Sequence, residues 1–440
     1  MKTGTSQSEP TARLPMRSEA QLGGRTRRVG LLALLALTVF YGCATSFGKR
    51  MSYQYEPSYG VASPQFEHLL ETQAGRLPGG NRATLLSNGD GFFPAILEAI
   101  RTAKASVNIE LYIFAKGKMA EQFAEALCAK AHEGVEVRVL VDAVGERLGK
   151  LAEEMKACGV NFHVYKPRKA FSIAKTGDRT HRKIITVDGR IGFTGGLAID
   201  DRWAGDARNP DEWRDTVVQI EGPAVLALQR VFLEDWIYTT GEVLDGPGQF
   251  PVAQEVGGLK AQAVASSRTS QLSVAKLHYY MPMQAARDHI WIENAYFLPD
   301  KDFRVSLCAA ARRGVDVRIV VPGKFIDIKA VRYAARGQYE EMLEAGIKIY
   351  EFRPTMLHSK VMVVDRAWSS IGSMNFTSRS MKANAEANVA IYDAAFASLV
   401  RAVIEADIAR SEQILLEKWK ERGSGEKTKE WFYGLYKNLF

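Results

Sequence analysis

The sequence predicts an α/β protein built from two tandem copies of one domain, packed as a pseudo-two-fold pair and preceded by a membrane segment. Three observations predict it. The 440 residues are 46% apolar and 25% charged, ordinary globular composition with length for two to three domains. Strand-like stretches recur in pairs about 180 residues apart, with amphipathic helical stretches between them. An uncharged run lies near the N-terminus. This composition excludes a disordered, collagen-like or multi-spanning chain, and four cysteines exclude a disulfide scaffold. The net charge of +8 is uneven, because residues 1–28 carry +4 of it. The remainder is too nearly neutral to point to nucleic acid.

Residues 1–28 are polar, basic and proline-containing, and read as a disordered leader. Arg25, Arg27 and Arg28 then precede the uncharged run Val29–Phe47. Three readings stay open for it: a secretory signal, a lipoprotein signal acylated at Cys43, and a retained anchor. Nineteen helical residues reach ~28 Å, just enough for a hydrocarbon core. A buried helix is the fourth reading, disfavoured by the arginine flank. Positive charge on the N-terminal side places the catalytic part outside the cytoplasm, although Lys49 and Arg50 oppose this.

The repeat sets the organisation. Ile109–Phe114 resembles Ile292–Phe297, Gly134–Val141 resembles Gly314–Val321, and Gly159–Pro167 resembles Gly346–Pro354. Each reads as a short strand, apolar on both faces, as in a sheet covered by helices. Phe93–Lys104, Met119–Glu133 and Leu148–Cys158 show three- and four-residue apolar spacing and read as helices. The offsets drift between 177 and 187, which places length variation in loops. The predicted domains are 48–244 and 259–410. Asp245–Gly258, rich in Gly and Pro, joins them, and 411–440 is an amphipathic tail. Cys128 and Cys308 occupy matching helical places and read as small core residues.

Each copy carries one constellation. The first is His181, Lys183 and Asp188 followed by Gly195 and Gly196; the second is His358, Lys360 and Asp365 followed by Gly372 and Ser373. Seven histidines should give about 0.03 chance matches to H-x-K-x4-D, so two at a constant offset of 177 are no accident. His and Lys two apart on a strand share a face. The glycines let backbone approach a ligand closely. Two imidazoles and two ammoniums, without metal-ligand spacing, fit phosphodiester chemistry: attack by one imidazole, protonation of the leaving alkoxide by the other, and charge neutralisation by lysine. Asp188 and Asp365 complete the motifs and are counted with the catalytic set. Their opposite strand parity nevertheless favours a turn-stabilising or ion-pair role over direct catalysis.

These motifs resemble those of the phospholipase D superfamily over about Leu85–Ala409, three quarters of the chain. Within it, the sequence is similar to bacterial cardiolipin synthases of the single-anchor type. The stretches Thr180–Gly196, Glu212–Thr216 with Glu221–Pro223, Asn294–Phe297, Pro354–Met362 and Gly372–Phe376 through Glu386 carry the likeness. The resemblance implies two phospholipase D-type domains, with His181 as nucleophile forming a phosphatidyl-histidine and His358 as general acid, then base. It also implies that Lys183, Lys360 and Asn375 hold phosphate, with Ser373 and the glycines in the substrate site. The first-copy match to Asn375 is Ala198, so the site cannot be fully symmetric. Each histidine also needs an orienting carboxylate. Glu386 follows the second motif; Asp215 or Glu212 follows the first.

The function expected is phosphatidyl transfer making cardiolipin from phosphatidylglycerol at a membrane, with no cofactor, metal or nucleic-acid partner. The sequence leaves oligomeric state open. With water as acceptor the same site is a phospholipase D. A nuclease is disfavoured by the membrane segment and the charge, and a dead lipid-binding protein by the two intact motifs. In the tail, Trp431, Phe432, Leu435, Tyr436, Leu439 and Phe440 recur on one helical face with lysines nearby. Two readings stay open there: a helix docked on the core, or one lying at a lipid surface.

Overall fold

The computed structural model describes residue 1 and residues 55–166, 179–266 and 274–437. The basic leader, the 29–47 segment with Cys43, and the tail residues Leu439 and Phe440 lie outside these. Among the described residues no helix is long and apolar enough to cross a membrane.

The first copy begins with β1 (Arg82–Ser87), α2 (Asn88–Thr102), β2 (Ser106–Ala115), α3 (Lys118–His132) and β3 (Glu136–Arg147), after a helix α1 (Pro64–Ala74). It continues with α4 (Lys150–Ala157), β4 (Asn161–Tyr165), β5 (Ile184–Val187), β6 (Ile191–Gly195), β7 (Thr216–Glu221) and α5 (Ala224–Thr240). The second copy opens with β8 (Lys260–Ser266), α6 (Val274–Ala285), β9 (His289–Asn294), α7 (Lys301–Arg312) and β10 (Asp316–Pro322). Then come α8 (Lys329–Arg336), α9 (Tyr339–Glu344), β11 (Lys348–Phe352), β12 (Lys360–Val364), β13 (Trp368–Gly372) and α10 (Ser378–Lys382). It closes with β14 (Glu386–Tyr392), α11 (Ala394–Ala409), β15 (Ser411–Ile414), α12 (Leu416–Lys420) and α13 (Ser424–Gly434).

The two sheets have one topology. The first runs β4-β3-β2-β5-β6-β7-β1, and the second runs β11-β10-β9-β12-β13-β14-β8 with β15 added beside β11. In each, the three strands joined by helical crossovers pair in parallel and the rest pair antiparallel. The residues expected to begin the tail thus start as an edge strand of the second sheet.

Each copy has its own apolar core, exemplified by Phe92, Phe123 and Val139 in the first and Leu307, Ile319 and Met342 in the second. A third cluster joins the copies, uniting Leu140, Val218 and Phe232 with Val361, Val389 and Phe396. Each such fully buried large side chain contributes about 1.5–3 kcal/mol, so the pairing of copies is part of the fold. Helix α1 lies within the range expected for the first domain, yet its Phe66 and Leu70 sit in the second copy's core. The reading of both repeat cysteines as core residues holds only for Cys308, which is buried and free. Cys128 is joined to Cys158, tying α3 to the end of α4.

Candidate active site

His181 and His358 occupy extended segments just before β5 and β12, and each is held by the other copy. The His181 amide donates to the Ala385 carbonyl at 2.8 Å, and the His358 amide donates to the Arg214 carbonyl at 2.7 Å. Isolated bridges between Thr180 and Ala385, and between Arg214 and Leu357, repeat the same exchange. One residue beyond Ala385 and Arg214 come Glu386 and Asp215. The backbone pairing therefore delivers each carboxylate to the opposite copy's histidine. His181 Nδ1 lies 2.8 Å from a Glu386 oxygen, and His358 Nδ1 lies 2.9 Å from Asp215 Oδ2.

Both carboxylates are fully buried. Burial alone would push their carboxyls up, but the partner histidine and nearby lysine ammonium hold both below the usual range. Trp203 Nε1 donates to Asp215 at 2.8 Å, and Ser373 Oγ donates to Glu386 at 2.6 Å, so neither carboxylate can swing away. Burial lowers both histidines to about 4. At neutral pH each ring is uncharged, with Nδ1–H donating to the carboxylate and Nε2 on the opposite edge of the ring.

Lys183 and Lys360 are buried beside them. Burial lowers Lys183 to about 8 and Lys360 to about 7. Lys183 Nζ donates to the His181 carbonyl at 2.8 Å, whereas Lys360 Nζ sits 3.1 Å from both ring nitrogens of His358 and also reaches the His358 carbonyl. The two halves of the site are thus alike in inventory and different in contact.

The glycines mark places where any side chain would collide. A Cβ on Gly196 would lie 2.4 Å from Asp215 Oδ1 and 2.6 Å from the His358 carbonyl. One on Gly372 would lie 2.1 Å from Asn388 Oδ1, and one on Gly195 would lie 2.4 Å from the Thr216 carbonyl. Asn375 is buried, and its side-chain carbonyl has no hydrogen-bond partner. Ala198, at the corresponding place, is buried and apolar.

Three residues from the sequence set stand elsewhere. Asp188 and Asp365 lie at the far ends of β5 and β12, where the chain turns with positive φ. Asp188 accepts from the amides of Lys104, Ala105 and Ser106, and Asp365 accepts from those of Arg287, Asp288 and His289. They clamp the loop before β2 and β9 and do not face the histidines, which corrects their inclusion with the catalytic groups. Glu212 accepts from the amides of Asp206 and Arg208 and from the side chains of Arg208 and Asn209. It organises its own loop and orients no histidine.

Sequence reasoning missed a layer around the site. Tyr112 lies edge-on to His181 at 5.0 Å with Lys183 at 5.4 Å from its ring; Tyr296 lies 6.2 Å from His358 with Lys360 at 5.8 Å. The repeat contained this signal one residue out of register, with Tyr112 opposite Ala295 and Tyr296 opposite Ile113. Beneath lie two buried acid–arginine groups. Glu110 and Asp235 surround Arg182, and Glu293 and Asp407 surround Arg214. Burial, aided by the neighbouring aspartate, pushes Glu110 and Glu293 well above the usual carboxylate range. Among the described residues no group of three or more His, Cys, Asp or Glu side chains is arranged to hold a metal.

Comparison with known proteins agrees with this geometry. A family model described as cardiolipin synthase, phospholipase D-like domain, matches residues 96–236 and 281–408. The chain is 38% identical over 348 residues to a cardiolipin synthase of Geobacillus kaustophilus, covering 78% of this chain and 69% of that one. It is 37% identical over 361 residues to cardiolipin synthase 2 of Bacillus anthracis, covering 80% and 70%. In fold it is similar to phosphatidylserine synthase of Haemophilus influenzae, with a TM-score of 0.63 at 14% identity over 85% of this chain and 99% of that one. Polyphosphate kinase of Porphyromonas gingivalis follows with a TM-score of 0.52 at 14% identity, covering 84% and 54%.

Proposed function

This chain belongs to the cardiolipin synthases built on phospholipase D-like domains, and from that premise we propose how its residues carry the reaction. It is a phospholipase D-type phosphatidyl transferase, and the donor and acceptor proposed are both phosphatidylglycerol. His181 Nε2 attacks the phosphorus of the first lipid. The bond from phosphorus to the glycerol headgroup breaks, and protonated His358 gives its proton to the departing alkoxide. The products are free glycerol and a phosphatidyl group on His181. Glu386, on Nδ1, balances the positive charge that the ring acquires. A hydroxyl of the second lipid's headgroup then passes its proton to neutral His358 as its oxygen attacks phosphorus. The phosphorus–nitrogen bond breaks, cardiolipin leaves, and His181 is restored.

Lys183, Lys360 and Asn375 are the proposed phosphate holders. In this buried setting their charge and dipoles count for more than in water. The unlike lysine contacts support the roles of the two histidines. Burial leaves His358 neutral in the free protein, so it takes up a proton from water as the phosphodiester anion enters beside it. Lys360, 3.1 Å from its ring nitrogens, is placed to share that proton. The crossed pairs His181–Glu386 and His358–Asp215 carry the proposal.

The Cys128–Cys158 disulfide supports placing the catalytic part outside the cytoplasm, where such bonds persist. The 29–47 segment is proposed to hold the chain at the membrane. The test is purified protein with phosphatidylglycerol vesicles and products resolved by mass. Cardiolipin and glycerol in equal amounts are expected. Phosphatidic acid without cardiolipin would make the protein a hydrolase.

A further inference from the structure

Helix α13 is docked inside out. Glu430 is its buried residue, at 3% exposure, and accepts from Arg422 Nε at 3.0 Å and Arg336 Nε at 3.3 Å. Tyr433 stacks on Tyr333 of α8, with ring centroids 5.6 Å apart. The apolar side chains point the other way: Trp431 is 67% exposed, Leu435 57% and Phe432 44%. A helix held by a charged face, with a large aromatic face left in solvent, leaves the apolar burial that normally stabilises a docked helix unclaimed.

The charges around this face are of one sign. The acids of residues 424–437, Glu426 and Glu430, both pair with Arg336, while Lys427, Lys429 and Lys437 are exposed. Trp and Phe flanked by exposed lysines match the headgroup region of an anionic bilayer. The face is also linked to the catalytic cleft. Arg336 contacts Glu426 and Glu430 while Tyr333 contacts Lys429 and Tyr433, so α13 runs antiparallel to α8. The start of α8 follows Asp327, whose carboxylate accepts from the Tyr296 hydroxyl at 2.7 and 2.8 Å. Tyr296 is the ring beside His358 and Lys360. Ile328, 43% exposed, and Lys329 extend the apolar and basic character to that end. An eight-residue helix, about 12 Å, therefore spans from the cleft to the aromatic face.

We propose that the Trp431–Phe432–Leu435 face of α13 is an interfacial anchor that lies in the headgroup region of an anionic phospholipid bilayer and holds the cleft against it. A bilayer as occupant rests on the phospholipid reading of the site.

Trp431 is its own reporter, because the other six tryptophans are each at most 8% exposed. The full chain in vesicles of phosphatidylglycerol brominated on its acyl chains should show quenched emission, and Trp431→Ser should remove the quenched component. The triple variant Trp431→Ser, Phe432→Ser, Leu435→Ser should keep its melting temperature and its turnover of dispersed short-chain phosphatidylglycerol, while turnover of vesicle lipid falls about tenfold. Equal quenching with and without Trp431, unchanged vesicle turnover, or equal loss on both substrates would each overturn the proposal. Self-association of the full chain that the triple variant abolishes, without a quenching difference, would assign the face to a second copy. A wild-type protein inactive on both substrates would defeat the transferase reading, and the quenching difference would still decide the anchor.

Discussion

The reactivity proposed for His181 and His358 rests on what surrounds two ordinary imidazoles. Burial removes the water that would favour the charged ring, and a fully buried carboxylate fixes the tautomer. Both rings, at about 4, are neutral across the physiological range, while the lysines at about 8 and about 7 stay partly or wholly charged up to neutrality. The proposed attack needs a neutral His181, so activity is expected to be lost as pH falls through the histidine value. In that proposal departure of the glycerol alkoxide needs a proton on His358 and phosphate binding needs the ammoniums, so activity falls as pH rises through the histidine value and then the lysine values. The kcat/KM profile on short-chain phosphatidylglycerol should therefore rise through an acid limb near 4 and decline on the basic side, most steeply beyond about 7 to 8 where the lysines also lose charge. An acid limb near 6.5, the unperturbed value, would mean that water reaches the imidazoles and that their burial is not part of the chemistry. The His and Lys pairs were legible in sequence because their spacing recurs. Glu212 was indistinguishable from Asp215 because both follow the same motif, and only the backbone bridge between Arg214 and Leu357 separates them.

At the scale of elements, β5 and β12 do two jobs with one strand each. The chain entering them carries His and Lys, and the residues just past their ends, Asp188 and Asp365, have carboxylates that gather three successive amides of the neighbouring loop. Parity along the strand made this legible, since Asp falls on the opposite face from His and Lys. Asp188→Ala should strand those amides and destabilise the protein by about 1–3 kcal/mol. It should leave kcat of the folded fraction within a few-fold of wild type. A lowered melting temperature with near-normal turnover is expected; a drop in turnover of several orders of magnitude at unchanged melting temperature would return Asp188 to the catalytic set. The sheets were readable from paired stretches such as Gly134–Val141 and Gly314–Val321, which became β3 and β10. Helix α1 was not readable as part of the second copy, because its two core contacts, Phe66 and Leu70, lie some 200 residues from their partners. Nor was the bond between Cys128 and Cys158, since pairing depends on how α3 and α4 meet.

At the scale of the whole molecule, the duplication is not two sites side by side but one site exchanged between copies. Each copy supplies a histidine and a lysine to its own strand and a carboxylate to the other's histidine. Arg214 fastens the exchange with its Nε donating to Asp407 at 2.6 Å and its carbonyl accepting from His358. Neither copy alone contains an oriented imidazole. The halves differ at Ala198 and Asn375 and in the lysine contacts, in keeping with the proposal that they carry different steps of one reaction. The most direct test combines this exchange with the identity of the nucleophile. The full chain is given a phosphatidyl ester with a good leaving group, p-nitrophenol, and the covalent phosphatidyl adduct is mapped by mass. The leaving group makes protonation by His358 dispensable for the first step. An adduct on His181 that persists in Asp215→Asn and is suppressed in Glu386→Gln is the predicted result. An adduct on His358, or one on His181 that depends on Asp215 and not on Glu386, would contradict the exchange of carboxylates between the copies.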